Sequence, residues 1–158
     1  MKKMILSEII ATKTSEVGIA WFDFYSIGHI CFGIGAFLFF ALFYSIPKAK
    51  GRTPLFSLFF VFILTFIVLI AWEIVENTVL FLSNLKFEDR PDSFRNMFTD
   101  VMFGILGALG MWIFAYATFE KDRKIWPYYI FGIIGFLLWI GVFIILRYLT
   151  FLNSPIFS

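Results

Sequence analysis

Acidic side chains are concentrated in one part of an otherwise apolar chain, between Ala71 and Gly107. This part reads AWEIVENT, then a short polar connection, then RPDSFRNMFTDVMFGILG. Even on the most lenient insertion scale, an ionised carboxylate at the centre of a membrane helix costs about 2.5 kcal/mol. Several carboxylates at the ends of apolar segments therefore indicate a site with a specific role. The polar residues of interest are Glu73, Glu76, Asn77, Asp92, Asn96 and Asp100.

These carboxylates and His29 permit several kinds of chemistry. Histidine, aspartate and glutamate on facing helices can hold a divalent metal ion, and metal-bound water could attack a phosphoester of a lipid head group. Without a metal, Glu73 or Glu76 could form a general acid–base pair with His29. Protonated carboxyl groups that share hydrogen bonds would instead form a proton relay. Arginine side chains could also neutralise the carboxylates, and the available ones are Arg90, Arg95 and Arg147.

Each candidate residue has a proposed role and an ordinary alternative. We predict that the catalytic or metal-binding groups are His29, Glu73, Glu76 and Asp100. The residues expected to orient them or to contact a head group are Asn77, Asp92, Asn96, Arg95 and Arg147. A histidine with one hydrogen-bond partner is more often a structural contact, and Asp92 suits the cap of a helix. Both interpretations remain open for these two residues.

The composition is that of a membrane protein. The chain has 158 residues, of which 61% are hydrophobic and 15% charged, whereas soluble domains average about 45–50% apolar and about 25% charged residues. A net charge of +2 without a basic stripe argues against a nucleic-acid partner. The single cysteine, Cys31, excludes an internal disulfide and a cysteine-rich zinc site.

Four apolar segments predict an all-α integral membrane protein that folds as a four-transmembrane-helix bundle. Each exceeds the roughly 20 residues that cross a bilayer. Residues 21–158 would form one domain, and residues 1–20 would form either an amphipathic interfacial helix or an unstructured terminus. We expect a multi-pass protein of the cell membrane, with lipid as its partner and with a homo-oligomer or a membrane complex as open options. The predicted spans are about 22–46, 54–82, 91–119 and 126–150.

Helix topology brings the polar residues to one depth. His29 lies about seven residues, or about 10 Å, inside the first helix. Glu73 and Glu76 lie in the last turns of the second helix, and Asp100 lies about 10 Å inside the third. Successive helices enter and leave at the same membrane face, so these groups should converge there. Small residues at close-packing spacing, such as Gly33 and Gly104, predict tight contacts between helices.

Three stretches resemble an uncharacterised family of small bacterial membrane proteins, domain of unknown function 2585, and more distantly the VanZ-like superfamily. They are GHICFG, WEIVENT and DSFRNMFTDVMFGILG. The family patterns are Ser-His-x-x-His-Gly, Trp-Glu-x-x-Glu-Asn and Asp-Ser-x-x-Asn-x-x-x-Asp. His29 matches the first histidine, whereas Gly28 and Phe32 replace the serine and the second histidine. The other two patterns match throughout, at Trp72, Glu73, Glu76, Asn77, Asp92, Ser93, Asn96 and Asp100.

The resemblance covers about residues 22–110 and implies a polar site within the membrane, without an established reaction. Because Phe32 occupies the position of the second histidine, a site with two histidine ligands is not expected. Our leading hypothesis is a carboxylate-rich pocket that holds a divalent metal and binds or acts on a lipid head group. The alternatives are a non-catalytic subunit whose cluster locks the helices together, and a small transporter or proton relay. Whether the protein is an enzyme stays open.

Overall fold

The computed structural model describes residues 8–86, 90–146 and 148–149, without the side chain of Leu146. These residues form four long helices and no named strand. All four helices are long and apolar enough to cross a membrane, which confirms the all-α four-helix prediction. The helices are α1 Tyr25–Ala49, α2 Leu58–Val75, α3 Phe94–Phe119 and α4 Trp126–Gly141. Two of them, α2 and α4, continue as π-helical turns, Glu76–Leu80 and Val142–Leu146.

Serine caps set the first residues of α2 and α3. The α2 helix begins at Leu58, later than the predicted start near Pro54, because the Ser57 side chain accepts a hydrogen bond from the Phe60 amide. An acceptor at this position satisfies an amide that has no partner within the helix. In α3 the cap is Ser93, whose hydroxyl accepts from the Asn96 amide at 3.3 Å.

The α1 helix continues through Pro47, where the sequence predicted that it would end. Proline has no amide hydrogen, so the Phe43 carbonyl cannot receive its usual helical bond. The Leu55 amide in the following loop donates to that carbonyl instead, at 3.1 Å. The returning loop thereby satisfies the group that the proline leaves open.

Packing between α1 and α3 holds the bundle together. Gly33 of α1 faces the backbone of α3: a Cβ atom added there would lie 1.9 Å from the Gly104 carbonyl oxygen. Gly107 of α3 faces α1 in the same way, since its added Cβ would lie 2.1 Å from the Ile30 carbonyl oxygen. The two backbones therefore touch, as small residues permit in lipid. The α2 helix packs against both α1 and α3, and α4 packs mainly against α1.

The chain that precedes α1 lies across the bundle end at which α1 and α3 begin, which we call the terminal face. Residues 10 and 22 form an isolated parallel bridge, and Ala11, Val17 and Ala20 are buried. The predicted amphipathic helix depends largely on residues 1–7, which lie outside the described residues, so it stays a prediction.

Candidate functional site

His29 lies between two carboxylates from two other helices. Its Nδ1 atom is 3.4 Å from Glu73 Oε1, and its Nε2 atom is 3.7 Å from Asp100 Oδ2. Each of the three residues is only 3% exposed. One ligand atom from each lies within 4.8 Å of the other two. We call these three residues the triad.

Helix geometry explains why the triad forms. His29 lies in the second turn of α1, Asp100 lies in the second turn of α3, and Glu73 lies in the last turn of α2. All three positions are therefore a few residues from the terminal face. The structure thus brings together three of the four residues predicted as catalytic or metal-binding. Glu76, the fourth, is buried at the start of the π-helical turn that follows α2.

The π-helical turn Glu76–Leu80 is stabilised by polar side chains. Asn77 Nδ2 donates to the Glu73 carbonyl at 3.0 Å, and the Thr78 hydroxyl donates to the Ile74 carbonyl. These side chains cap backbone carbonyls where the helix changes its hydrogen-bond spacing. Single π-helical turns within α-helices are frequent at functional sites. Asn77 therefore fixes the backbone of Glu73 and, through it, one wall of the triad.

Aromatic rings close the triad on the α4 side. The Phe143 ring, in the π-helical turn after α4, packs edge-on against His29 with centroids 5.7 Å apart. Phe32 stacks on Trp139 at 4.7 Å and packs against Trp72 at 5.5 Å. The position that carries a second histidine in the resembled family is therefore part of an aromatic wall here. A second imidazole ligand is absent, in agreement with the single histidine of the sequence.

A second layer of polar groups covers the triad at the terminal face. The Lys86 ammonium donates to Asn77 Oδ1 at 3.0 Å and forms an ion pair with Asp92. The Asp92 amide donates to the same Asn77 oxygen at 2.6 Å. Lys86 is only 3% exposed, and the sequence analysis did not include it in the site. In the sequence, only its position pointed to the site: Lys86 lies in the short connection between the acidic end of one apolar segment and the acidic start of the next.

Three further hydrogen bonds connect α3 to α1 and to the chain that precedes it. The Ser26 hydroxyl donates to Asp100 Oδ1 at 2.9 Å, a contact that the sequence analysis also missed. Asn96 Nδ2 donates to the Ala20 carbonyl at 3.2 Å and to Asp23 Oδ2 at 3.0 Å. Asn96 therefore holds the chain before α1, and its hydrogen bonds within the described part of the chain do not reach the triad.

The structure does not show an arginine at the triad among the described residues. Arg95 is exposed, and its nearest carboxylate is Glu8 at 3.8 Å, so the structure does not bring it to the triad. Arg90 donates to the backbone carbonyls of Ser15 and Val17. Arg147 lies outside the described residues. Lys86 is thus the described cation that contacts the polar groups covering the triad.

Among the described residues, buried carboxylates outnumber buried cations at this face. Burial raises the pKa of the Asp92 carboxyl, and Lys86 opposes that rise. A single buried lysine cannot compensate several buried carboxylates, because each unpaired charge carries a large desolvation penalty. The site therefore needs a further cation or bound protons. The carboxylates concerned are Glu73, Asp92 and Asp100.

Comparison with known proteins returned no relative. No family model, no curated protein and no solved structure matches the chain. The resemblance to domain of unknown function 2585 and to the VanZ-like superfamily therefore stays a hypothesis. The functional argument rests on the geometry of the triad and of its polar cover.

Proposed function

We propose that the protein binds a divalent cation within the membrane and uses it to bind or act on the anionic head group of a membrane amphiphile. The ligands would be His29, Glu73 and Asp100. The observation that carries the proposal is their convergence: three potential ligand atoms from three helices lie within 4.8 Å of one another. Their burial and the surplus of carboxylates at the terminal face favour a bound cation.

The donor spacing fits a tetrahedral ion such as zinc. Ligand atoms about 2.0–2.2 Å from a tetrahedral ion are about 3.4 Å apart, and His29 Nδ1 and Glu73 Oε1 are separated by 3.4 Å. Glu73 Oε1 is buried and has no hydrogen-bond partner among the described residues. A cation would satisfy this acceptor. One nitrogen of His29 would bind the ion together with one carboxylate oxygen of Glu73 and one of Asp100.

The surrounding residues would then serve the chemistry in distinct ways. A bound divalent cation polarises phosphoryl oxygens and makes water more acidic. Ser26 fixes the Asp100 carboxylate, and Asn77 fixes the backbone of Glu73. The aromatic wall around Phe143 excludes water from one side. Glu76, buried one turn beyond Glu73, is the proposed acid–base group.

Metal analysis of the purified protein tests this proposal. We expect near-stoichiometric divalent metal in the wild type and at least a tenfold loss in Glu73→Gln and in Asp100→Asn, because each exchange replaces an anionic ligand with a neutral amide. Both variants should keep the wild-type helical circular dichroism. Glu120→Gln is the matched control, since Glu120 pairs with Lys48 at the opposite end of the bundle, and it should keep its metal. Metal contents that are equal in all four proteins, or no metal after reloading, would contradict the proposal.

A second candidate, a proton relay, is favoured by the placement of a carboxylate at each nitrogen of His29. An imidazole in this position can accept a proton from one carboxyl group and donate its other proton to the second. Proton flux into liposomes would then fall to the background of empty liposomes in His29→Gln and in Glu73→Gln, without any metal requirement. Unchanged flux would exclude the relay. If the amide variants only lower stability in detergent, the triad is a structural lock between the helices.

A further inference from the structure

A cavity of about 290 Å³ lies at the bundle end opposite the terminal face. Its wall includes Lys48 near the end of α1, Phe119 at the end of α3 and Ile125 just before α4. The loop after α3 forms one side of the cavity and is held in place there, because the Arg123 amide donates to the Thr118 carbonyl at 3.0 Å. Small-molecule sites measure about 300–1,000 Å³, so this cavity suits a head group better than a large cofactor.

This end of the bundle is cationic. The two segments that flank the cavity, residues 48–57 and 120–125, carry six cationic and two acidic side chains. At the terminal face, by contrast, buried carboxylates outnumber buried cations among the described residues. Basic pockets between the ends of transmembrane helices bind anionic lipid head groups. The cationic side chains are Lys48, Lys50, Arg52, Lys121, Arg123 and Lys124, and the acidic ones are Glu120 and Asp122.

Two of these cations, Arg123 and Lys48, lie in the cavity wall itself. In the described part of the chain, the Arg123 guanidinium has no ion pair, although Glu120 and Asp122 are close to it in sequence. Glu120 is already engaged, because it accepts hydrogen bonds from the Tyr44 hydroxyl and, at 2.6 Å, from the Lys48 ammonium. An ammonium group carries three N–H donors, so the Lys48 contacts with Glu120 and Tyr44 leave a third for a ligand.

We propose that this cavity binds a phosphate group, with Arg123 and Lys48 as its cationic contacts. A guanidinium offers paired donors that match two phosphate oxygens, and an ammonium adds a compact point charge. Phosphate is also the anion that a bilayer presents where transmembrane helices end. Asp122, a carboxylate in the same wall, would accept from hydroxyl groups next to the phosphate, as in a phosphoglycerol head group. A lipid head group and a free phosphate ester share this chemistry.

Lipid retention measured by native mass spectrometry tests this site. The full-length protein is exchanged into detergent that contains equal amounts of dioleoyl phosphatidylglycerol and dioleoyl phosphatidylcholine, whose choline cation the basic segments repel. The wild type should retain one phosphatidylglycerol per chain in preference to phosphatidylcholine. The double variant Lys48→Gln/Arg123→Gln should lose at least about tenfold of this preference, because it removes two charge-assisted contacts.

The control is the double variant Lys50→Gln/Lys124→Gln, which removes the same charge from the same two segments at residues outside the described cavity wall. It should keep the preference to within about twofold, since exposed charges contribute little. Both double variants should keep the wild-type helical circular dichroism. The site is wrong if the double variant at the cavity keeps the preference, or if the control loses as much of it.

Titration calorimetry with inorganic phosphate distinguishes the two sources of the ligand. Phosphate binding that disappears in Lys48→Gln/Arg123→Gln would identify a free phosphate ester, whereas lipid preference without phosphate binding would identify a lipid head group. Neither lipid preference nor phosphate binding in the wild type would reject the site. Glu73→Gln separates this site from the proposed cation site: it should lose metal and keep the lipid preference. Loss of the preference in Glu73→Gln would place the lipid at the triad and reject the cavity.

Discussion

Replacing Gly33 with alanine should force α1 and α3 apart and lower the free energy of unfolding by about 3 kcal/mol or more. The added methyl group would lie 1.9 Å from the Gly104 carbonyl oxygen and 3.1 Å from the Ala108 amide nitrogen. Both are backbone atoms, so no side-chain rotation can relieve the overlap and one helix has to move. The expected result is a large fall in the midpoint temperature of unfolding in detergent, with less monodisperse protein on gel filtration.

The same exchange elsewhere provides the controls. Gly107→Ala should behave like Gly33→Ala, because its methyl group would lie 2.1 Å from the Ile30 carbonyl oxygen. In Gly110→Ala, by contrast, the methyl group meets nothing within 4 Å. Alanine favours a helix over glycine by up to about 1 kcal/mol, so this variant should be at least as stable as the wild type. If Gly33→Ala matches Gly110→Ala in stability, the close contact between α1 and α3 is wrong.

The number and type of the helices could be predicted from the sequence, because length and hydropathy alone decide whether a segment can span a bilayer. The helix ends could be predicted less well. Pro47 indicates a helix end when only its missing amide hydrogen is considered. The helix continues because the Leu55 amide returns to the carbonyl that the proline leaves open, and a contact across a loop leaves no trace in the local pattern.

The triad could also be predicted from the sequence. His29, Glu73 and Asp100 lie at similar distances from helix ends that must meet at one face, so the helical rise and the topology together place them at one depth. The contacts beyond the triad depend on rotation and loop path. Arg95 directly precedes the inward-facing Asn96 and is turned about 100° from it, and it is exposed. Arg95 therefore does not reach the triad, and its contact with a head group stays a prediction.

Lys86 could not have been placed by these rules. A lysine in a polar connection normally extends into water, and only the path of residues 81–86 turns this one inward. Its ammonium is buried against Asp92 and Asn77, where it supplies positive charge to a face that carries an excess of carboxylates. The polar cover of the site is thus completed by loop residues, whereas the helices supply the three side chains of the triad.

Lys86→Met should therefore destabilise the protein strongly, by about 3–5 kcal/mol, since removal of one partner leaves the Asp92 carboxylate buried without a counter-charge. Methionine retains most of the side-chain volume, so the loss reports on charge more than on packing. The pKa of Asp92 is already raised by burial, and Lys86 is the main group that opposes this rise. Without the lysine, the pKa of Asp92 should rise further.

This rise gives the effect a defined dependence on pH. A carboxyl group with a raised pKa in the folded state binds its proton more tightly there than in the unfolded state, so the folded state loses stability as the pH rises between the two pKa values. Unfolding midpoints should therefore show a larger deficit for Lys86→Met at pH 8 than at pH 5. Adding Asp92→Asn should recover much of the stability and remove this dependence, because no buried charge then remains in the pair. Lys124→Met, at an exposed position, should leave the midpoint unchanged. A deficit for Lys86→Met that is independent of pH, and is not reduced by Asp92→Asn, would show that Lys86 acts through packing and not through its charge.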